Sequence, residues 1–108
     1  MEKTYNVIIS HLAELDLNEI IEYYINVNEN YVKKIILQFE DKISNLSHFP
    51  EIGRIVPELE KQNILHYREL IEGNYRIIYE IQESKVIVHT IIDARRNFEE
   101  LIIRKLLR

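Results

Sequence analysis

The sequence predicts one α+β domain: an antiparallel β-sheet packed against an N-terminal α-helical hairpin, in the order β-α-α-β-β-β-α. Two apolar stripes with helical spacing follow one another in the first half of the chain. Three segments rich in β-branched and aromatic residues, joined by two-residue turn signals, fill much of the second half. Only 2 glycines and 2 prolines stand among 108 residues, so connections are short and regular elements dominate. A chain of this length reads as a single domain, residues 1–108, able to bury a core without disulfides.

TYNVIIS, Thr4–Ser10, is β-branched and aromatic and reads as a short strand. Ala13, Leu17, Ile20, Ile21 and Tyr24 then recur at helical spacing, with Glu14, Asp16, Glu19 and Glu22 mostly on the other faces. NVNEN, Asn26–Asn30, interrupts the pattern, because asparagine favours turns and caps over helix interiors. Val32, Ile35, Ile36, Phe39, Ile43 and Leu46 resume it, and so short a break implies two antiparallel helices. His48–Leu59 contains Pro50, Gly53 and Pro57 and reads as an irregular loop laid over the body. Strands follow at 65–71, 75–82 and 85–92, linked by Gly73-Asn74 and Glu83-Ser84. Asn97, with Glu100 three residues on, caps a last helix over 98–107.

Strand parity assigns the faces. A two-residue turn at Gly73-Asn74 sets Glu72 opposite Tyr75, Leu70 opposite Ile77 and Arg68 opposite Tyr79. Arg68, Leu70, Tyr75, Ile77, Tyr79 and Ile81 then share the face expected to meet the hairpin. Tyr67, Glu69, Ile71, Arg76, Ile78 and Glu80 share the opposite, more open face. Arg76 there is either a partner of Glu69 or Glu80 in a cross-strand ion pair or a free fork for phosphate or carboxylate.

Charge is uneven. Residues 1–50 carry 4 Lys/Arg against 8 Asp/Glu, a net of −4; residues 51–108 carry 10 against 10, a net of zero, with all 7 arginines. A net-acidic domain lacks the basic footprint of a nucleic-acid binder, so direct sequence-specific DNA binding is not expected. The absence of cysteine excludes disulfides and thiolate metal sites. His11, His48, His66 and His89 show no paired helical spacing and no glycine-rich phosphate loop occurs, so neither metal nor cofactor is expected. MEKTYNVIIS does not read as a secretory signal and no run nears about 18 apolar residues, which predicts a cytoplasmic protein without membrane contact.

Four segments in series, AELDLNEIIEYY, FPEIGRIVPEL, YRELIEGNYRIIYEI and VHTIIDARRNFEEL, make the whole chain resemble the RelE/ParE superfamily of toxins from type II toxin–antitoxin modules, often labelled plasmid stabilisation proteins. The resemblance implies a small toxin neutralised by a cognate antitoxin encoded beside it. One branch cleaves mRNA in the ribosomal A site; the other inhibits DNA gyrase by binding. By resemblance Arg76 and Arg95 correspond to the functional arginines, and Arg68 to a basic residue on the preceding strand. Leu70 stands where the nuclease branch has a second lysine, and Leu101 about where it has a tyrosine. Asp93 stands where many ParE-type relatives have a histidine. RNA cleavage needs a general base, a general acid and charge stabilisation, and only Tyr67, Asp93 or Glu69 offer themselves for proton transfer. The resemblance is therefore nearer the ParE branch: a gyrase-binding toxin, not an enzyme. The alternatives are a RelE-like ribosome-dependent mRNA endonuclease and a non-toxic adaptor of the same fold, and a homodimer is left open. Leu101, Ile102, Ile103, Leu106 and Leu107 exceed a single helical stripe, so the last helix either docks on its own sheet or a symmetry mate or meets a partner; on the latter reading they form, with Arg96 and Arg104, the expected antitoxin-binding surface.

Overall fold

A computed structural model describes residues 3–106. Its elements in order are β1 (Asn6–Ile9), α1 (His11–Ile25), α2 (Glu29–Ser44) with a closing 3₁₀ turn (Asn45–Ser47), β2 (Arg54–Ile55), α3 (Pro57–Glu60), β3 (Tyr67–Glu72), β4 (Tyr75–Gln82), β5 (Lys85–Asp93) and α4 (Phe98–Leu106). The five strands lie in the order β1-β5-β4-β3-β2. β3 to β5 are antiparallel neighbours, as expected, and β2 adds an antiparallel strand beside β3, but β1 pairs with β5 in parallel, making the sheet mixed. The irregular segment holds two elements too short to carry a period: β2, which extends the sheet beside β3, and α3, which starts on Pro57.

Local chemistry sets the helix starts. Ser10 caps α1, its Oγ accepting from Ala13 N at 3.0 Å while donating to His89 O at 2.8 Å, which ties the helix start to β5. Asn28 caps α2 by accepting from Tyr31 N at 3.0 Å, so the asparagine-rich break is both a turn and a helix start. Asn97 accepts from Glu100 N at 3.3 Å and donates to its carboxylate, which begins α4 where the sequence placed it. Leu107 and Arg108, at the end of the expected helix, lie outside the described residues.

The sheet is covered on both sides. The β3–β4 register matches the expected one, Glu72 to Tyr75 through Arg68 to Tyr79. Tyr75, Ile77 and Tyr79 meet Ala13, Ile20, Ile35 and Phe39 of the hairpin in one core. The opposite face, expected to be open, is not: α3 and α4 close over it with Leu59, Phe98, Leu101 and Ile102 against Tyr67, Ile78 and Ile92. Arg76, placed by parity on that face, is therefore only 7% exposed, and Glu69 only 1%. Burying these apolar side chains drives α4 onto its own sheet.

Two details shape the functional surface. β1 reaches only Val88, so β5 runs beyond it with an edge that no strand covers. The pairing steps from Ile78–Thr90 to Tyr79–Val88, so His89 is the extra residue of a β-bulge that re-aims the end of β5. The Asp16 carboxylate covers part of that open edge, accepting from Ile91 N at 2.9 Å and from the Thr90 hydroxyl. Lys105 of α4 pairs with Asp16 at 2.6 Å, so one buried carboxylate ties α1, β5 and α4 together.

Candidate functional site

The two arginines singled out by resemblance do not meet. Arg76 lies beneath Phe98, its guanidinium carbon 3.5 Å from the ring centroid. Its Nε donates to Glu69 Oε1 at 2.6 Å, and its two terminal nitrogens grip both oxygens of Glu58 at 2.9 and 2.8 Å. Arg54 donates to the remaining Glu69 oxygen at 2.6 Å. Two guanidinium groups thus face two carboxylates in a neutral cluster, Arg76 and Glu69 buried and Arg54 at its exposed rim. The hydrogen bond from Arg76 holds the Glu58 carboxyl below its ordinary value against the opposing effect of burial. Burial alone would lower Arg76, but its bonds to Glu58 and Glu69 outweigh it and leave the guanidinium more firmly charged. Of the two roles open to Arg76, the structure assigns the ion pair, with Glu69 as partner and Glu58 added.

Arg95 stands elsewhere, on the surface just past β5. Its Nε and terminal nitrogen reach Asp93 at 3.0 and 2.8 Å, and its backbone N–H donates to the same carboxylate at 2.9 Å. Hydrogen bonds from Arg95 keep Asp93 below its ordinary range, and Asp93, then Tyr24, raise Arg95 above its own. Asp93 is thereby the partner that orients Arg95 rather than a free base.

A cleft of about 340 Å³ opens beside this pair, between α1, the end of β5 and α4. Asp16, Glu19, Tyr23 and Tyr24 line it from α1, Tyr75 from β4, and Asp93, Arg95, Arg96 and Lys105 from the far side. Tyr23 and Tyr24 meet edge to face with centroids 4.7 Å apart, and Tyr24 meets Tyr31 in the same way at 4.8 Å. Burial first, then Tyr24, pushes the Tyr75 hydroxyl well above its ordinary range, so it remains a neutral donor. The arrangement combines rigid aromatic surface with charged forks, a composition suited to gripping a partner.

The other candidates make contacts within the fold. Arg68 donates to Gly53 O at 2.7 Å and pins the loop before β2. The fully buried Tyr79 holds the same loop, donating to Pro50 O at 2.7 Å and accepting from Gly53 N at 2.9 Å. A Cβ on Gly53 would stand 2.5 Å from Glu69 O, so only glycine fits that crossing. Tyr67 is buried between His66 and His89, and burial, then Glu80, raises its hydroxyl, which unsuits it to proton transfer near neutrality. Leu101 and Ile102, expected to anchor an antitoxin, are 5% and 1% exposed in the molecule's own core, and Leu106 packs against the same core. Of that helix, Ile103, Arg104 and the neighbouring Arg96 remain exposed, while Leu107 lies outside the described residues. Among the described residues no group of three or more His, Cys, Asp or Glu converges as a metal site, and no helix is long and apolar enough to cross a membrane.

The family model for the ParE toxin of type II toxin–antitoxin system, parDE, matches residues 7–98. The chain belongs to this ParE toxin family. Comparison with curated proteins returns no match. Among solved structures, this ParE-family chain is similar to a chain of the chromosomal ParDE toxin–antitoxin system from P. aeruginosa, with a TM-score of 0.66 and 14% identity over 84% of this chain and 97% of that one. It is also similar to a chain of the RelBE2 toxin–antitoxin complex from Mycobacterium tuberculosis, with a TM-score of 0.57 and 16% identity over 86% and 94% of the two. At such identities the likeness is one of fold: the RelE/ParE arrangement of a helical hairpin on a sheet.

Four participants were not singled out by the sequence reading. Glu58 reaches Arg76 across 18 positions from α3, an element the sequence did not reveal. Tyr23 and Tyr24 read as ordinary helix residues until β5 brought Arg95 beside them. Asp16 did leave a signal: it sits 3 after Ala13 and 4 before Ile20, inside the apolar stripe, where a charge needs a buried partner.

Proposed function

We propose that this ParE-family protein is the toxin of a type II module, that it acts by binding DNA gyrase rather than by cutting RNA, and that an antitoxin tail neutralises it. The observation that carries the choice of binding over cleavage is the burial of Arg76 in a charge-neutral cluster under Phe98. Phosphorane stabilisation needs cations aimed at the reacting phosphate. Here one of the two arginines assigned to that task is saturated by carboxylates, and the other stands on a separate surface. Asp93, the carboxylate nearest Arg95, is already bound to it. A protein that works by gripping another needs only the exposed aromatic and charged surface described above.

The antitoxin site follows from what the fold leaves unpaired. β1 is an edge strand, with Ile8 and Ile9 37% and 36% exposed. Beside it lies an apolar groove of about 370 Å³ lined by Val7, Ile9, Leu17, Phe39 and Ile43. A disordered tail that folds on binding gains backbone hydrogen bonds from such an edge and apolar anchors from such a groove.

Expression of the protein alone in a bacterial host, with and without the antitoxin encoded beside it, tests this. Growth arrest with a DNA-damage response, inhibition of supercoiling by purified gyrase, and rescue by the antitoxin are expected. Arrest accompanied by codon-dependent mRNA cleavage and unaffected gyrase would sink the binding mechanism in favour of a ribosome-dependent nuclease. Normal growth at high levels of folded protein would mark a non-toxic adaptor.

A further inference from the structure

We propose that the cleft between α1 and the Asp93–Asn97 loop is the surface with which this toxin grips its protein target, and that it takes a target segment carrying an apolar or aromatic side chain beside a carboxylate. The inference rests on the reading above that the toxin acts by binding. Tyr23 is 72% exposed, a large amphipathic ring without a place in either core. Ile25, Val27 and Tyr31 are 41%, 77% and 38% exposed, so apolar surface continues from the cleft onto the tip of the hairpin. Tyrosine and arginine are among the residue types enriched at the energetic hot spots of protein interfaces, tyrosine bringing large contact area at small entropic cost and arginine a multidentate charged fork.

The charges select the partner. Within the cleft Arg95 is paired with Asp93 and Lys105 with Asp16. Among the described residues Arg96 has no ion-pair partner, which leaves it as a guanidinium open to one carboxylate. A run of phosphates fits poorly: Asp16, Glu19 and Asp93 line the same cleft, and the chain carries a net charge of −4. A protein segment with a single acidic residue next to an apolar anchor matches both features. The cleft is also distinct from the apolar groove at β1. α1 walls both, presenting Ala13 and Leu17 to the groove and Tyr23 and Tyr24 to the cleft.

Wild-type protein, Tyr23→Ala, Arg96→Glu, Arg96→Lys and the outward-facing control Leu37→Ala are compared for growth arrest, for affinity to purified gyrase and for affinity to the antitoxin encoded beside the toxin. Circular dichroism and melting temperature keep any loss of fold visible. Tyr23→Ala and Arg96→Glu are expected to weaken gyrase binding by at least ~10-fold and to relieve arrest. Their antitoxin affinity stays within about threefold of wild type, as does every property of Leu37→Ala. Arg96→Lys keeps part of the binding. The proposal is overturned if folded Tyr23→Ala and Arg96→Glu bind gyrase and arrest growth like wild type, or lose antitoxin binding to the same degree. It is likewise overturned if a single-stranded oligothymidine binds the cleft and is released by Tyr23→Ala, which would make the partner a nucleic acid. Arrest without gyrase binding by wild type, relieved by the same two variants, removes gyrase as the target and leaves the cleft as the gripping surface. Wild-type protein that neither arrests growth nor binds gyrase removes both.

Discussion

Arg76 faces two carboxylates under a phenylalanine, and Arg95 faces one carboxylate in open water; that difference governs what each substitution does. Removing Arg76 leaves the buried Glu69 short of a partner, and breaking a buried pair from one side costs about 3 kcal/mol or more. Arg76→Ala should therefore lower the urea midpoint strongly, whereas Arg95→Ala should leave it close to that of wild type. Equal midpoints for the two variants would show that the buried cluster contributes nothing. The same cluster sets an acid limit. The folded-state value of Glu58 lies below its ordinary 4.5, so its contribution is fully present above pH 4.5 and is lost as pH falls through the lowered value. Glu58→Gln should flatten the decline in stability below pH 4.5, measured by denaturation at each pH. The sequence placed Arg76 on the correct face through register alone. It could not show that face to be covered, because Glu58 comes from a four-residue helix too short to carry a hydrophobic period.

Elements with a strong period were the legible ones. Both hairpin helices, the three long strands and the last helix lie within a few residues of their expected positions, since each buries a regular apolar stripe. β2, with two residues, has no period to read, and the parallel pairing of β1 leaves no mark in β1 itself. The two hairpin turns behave differently. Gly73 opens the first with φ +58°, a conformation glycine adopts freely, while Glu83 opens the second at φ 56°, where a side chain is strained. Glu83→Gly should therefore stabilise the protein by about 1 kcal/mol, seen as a rise in melting temperature of roughly 4 °C or more. A lower melting temperature would mean that the Glu83 side chain stabilises the turn by a contact that outweighs its backbone strain.

At the scale of the whole molecule the sheet has one face under the hairpin, the other under α3 and α4, and an apolar groove open at the β1 side. On the function proposed above, that layout favours an antitoxin site at β1 over the last-helix surface expected from sequence. α4 has an apolar surplus on paper, but Leu101 and Ile102 are consumed by the molecule's own core, so among the described residues of α4 Ile103 is the exposed apolar one. At β1 it finds an unpaired strand edge and a preformed groove. The first 50 residues supply both walls of that groove and carry the whole net charge of −4, which favours a tail with Lys or Arg beside its apolar anchors. Hydrogen exchange of the toxin alone and in complex tests the placement. Slowed exchange should appear on β1 and along the groove-lining parts of α1 and α2, with α4 unchanged, and the affinity should fall as salt rises. Protection confined to residues 98–106, or an affinity indifferent to salt, would return the antitoxin to the last helix and leave the β1 groove without an occupant.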